Sequence, residues 1–247
     1  MTLACEDRLI APPLRIRYLR GSGACLVVSF AGVGTERKSE PPAEFFRLAH
    51  GAAGENHVLF VSDESRSWMN APGMAEAVAA AVSATAREIG ASRVVAIGNS
   101  MGGSAAMILA SLMPVDEVLA VTPQFSVNPA IVPEETRWRY FRNKITAWPF
   151  PQVPDLAGRG EVTVLHGDSD DELIHARRFA PMAAHFIFAG QDHRLARSLH
   201  GRGLLAPIVS NAIAGRTTRA RNGVRNAGGV RLSRFARQQR STEETLP

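Results

Sequence analysis

Hydrophobic and polar positions along the chain change period repeatedly. Leu14 to Leu19 (LRIRYL) alternates apolar and basic residues, the two-residue period of a strand with one wet face. Ala24 to Phe30 (ACLVVSF) is continuously apolar, as a strand buried on both faces must be. The Gly21-Ser22-Gly23 turn between them predicts an antiparallel hairpin. Further strands are expected at His57–Asp63, Arg93–Gly98, Glu117–Pro123, Glu161–Gly167 and His185–Gly190, seven in all. Helical spacing covers AEFFRLAHGA after Pro41-Pro42, a long alanine-rich stretch ending at Gly90, Met101 to Met113, and His175 to Met182. A last helix is expected from about Arg194 to Ala214, with a break near Gly201 and Gly203.

Strands separated by helices predict a mostly parallel sheet covered on both faces. The 247 residues, 45% hydrophobic and 21% charged, suit a globular α/β domain spanning residues 1–214. The N-terminal residues carry early acids and do not resemble a signal peptide, and no apolar run reaches the ~20 residues of a membrane span. Two cysteines are too few for a disulfide framework or a cysteine-only zinc site. A soluble, cytoplasmic protein is the expectation. The net charge of +5 is concentrated in residues 215–247, which hold eight arginines against Glu243 and Glu244. With few large apolar residues, that segment reads as a disordered basic tail. It would touch anionic surfaces weakly and salt-sensitively, and it carries no specific nucleic-acid motif.

The chemistry concentrates at Gly98-Asn99-Ser100-Met101-Gly102, which fits G-x-S-x-G between a predicted strand and a predicted helix. Such a turn lifts the serine hydroxyl above the sheet edge and aims the Met101 amide and the helix N-terminus at a developing oxyanion. The alternative reading of Ser100 is a small residue at a tight corner. A nucleophilic serine needs a base, and the base an orienting acid, on loops following later strands. The segments DSDDELIHA and QDHRLA follow two such strands.

GNSMGG, HGDSDDEL and AGQDH together resemble the elbow, acid loop and histidine loop of the α/β-hydrolase superfamily, over about Leu14 to Ala214. The resemblance implies an α/β-hydrolase fold of about seven to eight strands with a small cap insertion. It implies a triad of Ser100, Asp170 and His193, with Asp168 and Asp171 as rival acids. The remaining six histidines read as packing or surface residues. Ala31 to Gly34 (AGVG) matches the family's oxyanion loop, which implies the Val33 amide as second donor and Gly32 as the point of close backbone approach. No metal or organic cofactor is implied.

Residues 126–159 hold five aromatics, among them Trp138 and Trp148, and occupy the place where this superfamily inserts a cap. They would contact substrate or form a small satellite core. LFVSDESRSWMN and LAVTPQFSVNP, with Asp63, Arg66, Trp68 and Gln124, resemble a bacterial group associated with surface-polysaccharide biosynthesis, which implies an acylated carbohydrate. Asn99, Trp68 and Gln124 join the candidate substrate contacts; otherwise Trp68 packs and Arg66 is a solvated charge. The reading is a serine hydrolase of a small-molecule or glycan ester or thioester. Acyl transfer to an alcohol by the same triad and a non-catalytic binding domain are the alternatives. Oligomeric state is not legible.

Overall fold

The computed structural model describes residues 5–37, 40–179 and 184–243. Its elements, in chain order, begin with strands β1 (Glu6–Ala11), β2 (Leu14–Leu19) and β3 (Cys25–Phe30). Helix α1 (Phe46–His50), strand β4 (His57–Asp63), helix α2 (Met74–Glu88), strand β5 (Arg93–Asn99) and helix α3 (Met101–Leu112) follow. Next come β6 (Glu117–Val121), the short α4 (Arg139–Arg142), β7 (Glu161–Gly167), α5 (Asp170–Ala176) and β8 (His185–Phe188). Helices α6 (Leu195–Gly201), α7 (Leu205–Ile213) and α8 (Thr217–Asn226), strand β9 (Gly229–Arg231) and helix α9 (Leu232–Glu243) complete the chain.

The nine strands form one sheet in the order β1-β2-β4-β3-β5-β6-β7-β8-β9. From β4 to β8 neighbouring strands are parallel, whereas β1/β2, β2/β4 and β8/β9 are antiparallel. Alternate side chains of β3 sort onto the two faces. Leu26, Val28 and Phe30 join the core under α2 and α3, while Val27 joins that under α1, α6, α7 and α8. The helices thus cover both faces of the parallel centre.

Three expectations need correction. β2 and β3 do not form a hairpin: β4 lies between them, antiparallel to β2 and parallel to β3. The glycine turn instead crosses the end of β4, held by Ser22 N–H to Gly54 O and Gly23 N–H to Glu55 O. A strand as continuously apolar as β3 needs cover on both faces, which places it at the parallel centre. Edge strands β1 and β9 went unpredicted, because one is largely exposed and the other is three residues long.

The third correction concerns the arginine-rich segment, which is ordered through residue 243. β9 pairs with β8, Ala220, Val224 and Ala227 are buried in the second core, and Leu232 and Phe235 pack against Leu173, Ala176 and Ile187. Arg221 reaches Glu161 at 2.7 Å. Composition hid a narrow apolar stripe at helical spacing among the arginines. The break at Gly201 and Gly203 is present, and α5 starts at Asp170 rather than at His175. Met182 and residues 244–247 lie outside the described residues.

Candidate active site

Ser100 is the single residue between β5 and α3, at φ 56° and ψ −126°. A non-glycine residue there is strained, and the surroundings leave it no alternative. A Cβ on Gly98 would lie 2.2 Å from the Gly102 backbone, and one on Gly102 would lie 2.4 Å from Phe30 O. Ser100 N–H donates to Val121 O, and Gly103 N–H turns back to Ser100 O, fixing the corner on both sides.

His193 lies between β8 and α6. Its Nε2 is 2.8 Å from Ser100 Oγ, and its Nδ1 is 2.8 Å from Glu172 Oε1. A carboxylate accepts the Nδ1 proton, which leaves Nε2 as the acceptor for the serine O–H. The structure therefore brings Ser100 and His193 together, as the sequence predicted, but not with Asp170. Asp170 and Asp171 are exposed at the start of α5, and Asp168 accepts the Gly190 N–H at 2.8 Å. Helix α5 begins after Ser169, so its third residue turns toward the face that buries Leu173 and Ala176. That residue is Glu172, 1% exposed.

Glu172 Oε1 also accepts from Arg137 at 3.0 Å. Burial opposes its charge, but the His193 hydrogen bond and nearby positive charges, including Arg137, outweigh it and hold the carboxyl below its ordinary range. Arg137 comes from the long β6–β7 connection and pairs with Glu135, which in turn bonds His175 Nε2 at 2.8 Å. Burial of Glu135 is likewise overcome, by bonds from His175 and Arg137, and its pKa falls to about 2. Neither Arg137 nor Glu172 was anticipated. A signal existed for Glu172: in DSDDEL it alone of the four acids adjoins the apolar Leu173.

The loop Ala31–Gly34 lies against the elbow, since a Cβ on Gly32 would stand 3.2 Å from Asn99 O. Gly32 N–H donates to Glu44 Oε1 at 3.1 Å. Burial pushes the Glu44 pKa up to about 7. Arg66, for which a solvated charge was the alternative reading, is 1% exposed and donates to Val33 O, Glu64 O and Glu36 O. Val33 and Met101, the two predicted oxyanion donors, are buried beside Trp68, Val127 and Phe141.

Among the substrate candidates, Asn99 is engaged through its Oδ1 by the Thr122 hydroxyl at 3.1 Å. Trp68 and Gln124 bond one another: the indole Nε1 donates to Gln124 Oε1 at 2.9 Å, and Gln124 Nε2 donates to Ser100 Oγ at 3.0 Å. The Trp138 ring lies tilted beside that of His193, ring centres 5.6 Å apart, with its Nε1 buried and without a hydrogen-bond partner among the described residues. Trp148 packs at the margin of the same apolar cluster. A cavity of about 170 Å³ opens beside Val33 and Trp138, bounded by Arg137, Tyr140, Phe141 and Arg37. Arg37 and Phe141 also border a second cavity of about 300 Å³ that extends past Lys144. Five positive-φ non-glycine residues, Arg66, Trp68, Met69, Ser100 and Thr122, belong to this edge of the sheet or the turns leading from it.

No group of three or more histidine, cysteine, aspartate or glutamate side chains able to hold a metal occurs among the described residues. Nor is any helix among them long and apolar enough to cross a membrane.

No sequence-family model matches the chain, and no curated protein matches it in sequence. Solved structures do. A carboxyl esterase 2 from the mycorrhizal fungus Tuber melanosporum superposes with a TM-score of 0.59 at 15% identity, covering 87% of each chain. A hormone-sensitive lipase from a metagenome library gives 0.58 at 12% identity, covering 87% of this chain and 84% of that one. The capsule O-acetyltransferase of Neisseria meningitidis serogroup A gives 0.57 at 11% identity, covering 83% and 94%. At such identities the likeness is one of fold, and this chain has the fold of the α/β-hydrolases.

Proposed function

We propose that this protein cleaves a carboxylic ester or thioester through an acyl-enzyme on Ser100. The carrying observation is the continuous chain from Glu172 through His193 to Ser100 Oγ, each link 2.8 Å. Ser100 Oγ attacks the carbonyl carbon as its proton passes to His193 Nε2, and Glu172 stabilises the imidazolium that results. The Met101 and Val33 amides receive the oxyanion. His193 then protonates the leaving oxygen or sulfur, and a water activated by the same imidazole releases the acyl group. The roughly 170 Å³ cavity beside Val33 and Trp138 offers room for a small acyl or alcohol group.

Transfer of the acyl group to an alcohol is the second reading. Likeness to a capsule O-acetyltransferase over 94% of that chain favours it, and the acceptor would then be a carbohydrate hydroxyl, with the acylated carbohydrate as the product. The two differ only in what attacks the acyl-enzyme.

Purified protein is treated with a fluorophosphonate probe and assayed on p-nitrophenyl acetate, beside Ser100→Ala and His193→Ala. Labelling and turnover in the wild type, with labelling abolished by Ser100→Ala and turnover reduced at least ~10⁴-fold by either substitution, is the expected result. A folded wild type that neither labels nor turns over refutes the proposal. Adding an acceptor alcohol and analysing the product then separates transfer from hydrolysis.

A further inference from the structure

We infer that Gln124 is a catalytic residue of this site, its side-chain amide supporting Ser100 Oγ both when that oxygen attacks and when it leaves. The inference rests on the acyl-enzyme reading above.

Gln124 follows β6 by three residues and is 1% exposed. Its backbone is fixed by neighbours: Gln124 O accepts the Ser104 hydroxyl at 2.8 Å, and Thr122, at φ 45°, donates its N–H to Leu165 O. Glutamine oxygen and nitrogen look alike in shape, but here chemistry distinguishes them. The Trp68 indole can only donate, so the amide end 2.9 Å from it is the oxygen. The NH₂ therefore faces Ser100 Oγ at 3.0 Å. Trp68 is itself held at φ 51°, a conformation that costs energy in a bulky residue. A position that served packing alone would need neither a buried amide nor a strained tryptophan to orient it.

The serine oxygen has one proton and two lone pairs. The proton goes to His193 Nε2, and the Gln124 N–H occupies one lone pair. One lone pair remains for the acyl carbon. During acylation the proton leaves Oγ as the Oγ–C bond forms, and charge that builds on Oγ before the bond is complete meets the Gln124 donor. During deacylation the Oγ–C bond breaks, its electron pair returns to Oγ, and His193 gives the proton back. The same N–H stabilises that leaving oxygen. Gln124 keeps both its protons throughout, so its contribution is electrostatic.

The test uses Gln124→Leu, Gln124→Glu and Trp68→Phe on p-nitrophenyl acetate, with folding checked by thermal melting. Gln124→Leu is expected to lower kcat by about 10²-fold with KM little changed, the lower end of what one lost donor to a developing oxyanion costs. Gln124→Glu keeps the shape and the Trp68 bond but presents an acceptor to Oγ. Its deficit relative to wild type is expected to exceed that of Gln124→Leu at neutral pH and to narrow as the pH falls and the new carboxyl protonates. Trp68→Phe frees the amide to rotate and is expected to lose about tenfold.

A folded Gln124→Leu variant within threefold of an active wild type overturns the inference and leaves the acyl-enzyme reading standing. A Gln124→Glu deficit that is constant with pH overturns it too, and applies if the leucine variant fails to fold. A folded wild type that is inert to probe and ester overturns both.

Discussion

Two corners of the sheet invite comparison, because each leads from a parallel strand into a helix and each supplies a member of the candidate triad. At the first, β5 passes into α3 through Ser100 alone, and the candidate residue is the corner itself. Crowding of Gly98 against Gly102, and of Gly102 against Phe30 on the neighbouring strand, leaves one geometry, and the glycines and serine that meet it lie within five consecutive residues. At the second, β7 passes into α5 through Asp168 and Ser169, and four acids follow one another from 168 to 172 around the serine. Here the candidate residue, Glu172, lies inside the helix. Which acid faces His193 depends on how α5 is rotated against the β8–α6 loop, and that rotation is set by Leu173 and Ala176 packing on Ile187. A corner defined by local sterics is legible in sequence, whereas one defined by helix rotation is not.

The sharpest way to break this contrast is to exchange the acids. Glu172→Gln removes the carboxylate that holds the His193 tautomer and is expected to lower kcat by roughly 10³- to 10⁴-fold. Asp170→Asn, at an exposed position, is expected to stay within about threefold. Steady-state kinetics on one ester decide it, and the opposite ranking would restore Asp170 and refute the rotation argument.

Next in size is a pH effect at the base of the acid corner. His166, on β7, is fully buried, with Nδ1 2.9 Å from His185 Nε2 and Nε2 2.8 Å from Pro123 O. Burial lowers its pKa to about 4. Between pH 6.5 and 4 the unfolded chain binds a proton at this imidazole that the folded chain refuses. Its stability contribution is therefore complete above pH 6.5 and is lost as the pH falls toward 4, by about 3 kcal/mol. Thermal melts from pH 7 to 4 should show a steeper fall for wild type than for His166→Asn, and equal slopes would contradict it.

The smallest effect expected is at Arg137. Arg137→Met removes one of two donors to Glu172 Oε1 and leaves Glu135 with His175 and the residue-137 backbone N–H. A loss of about tenfold in kcat, near 1.4 kcal/mol, is expected with the triad otherwise in place. An unchanged kcat would mean that the β6–β7 connection covers the site without tuning its acid.

The same division between local and tertiary information runs through the rest of the molecule. The alternation of Leu14–Leu19, the continuous apolar run of β3 and the break at Gly201 were readable because each is a pattern of neighbours. The site around Ser100 was readable as far as the placement of His193, of the Ala31–Gly34 loop against the elbow, and of Trp68 and Gln124 at the same edge. That Trp68 and Gln124 bond one another, that Arg66 is buried against the Ala31–Gly34 loop and that Arg137 reaches Glu172 required the fold, because each joins residues from separate segments.

The sequence by itself determined the strand–serine–helix corner, the parallel α/β layout and the histidine, through side-chain period and backbone crowding over a few residues. Only the tertiary structure decided that β4 separates β2 from β3, that the arginine-rich segment closes the sheet, and that the carboxylate bonded to His193 is Glu172. Strand order, edge pairing and helix rotation are set by which apolar surfaces find cover across the chain, a property that no short window of sequence contains.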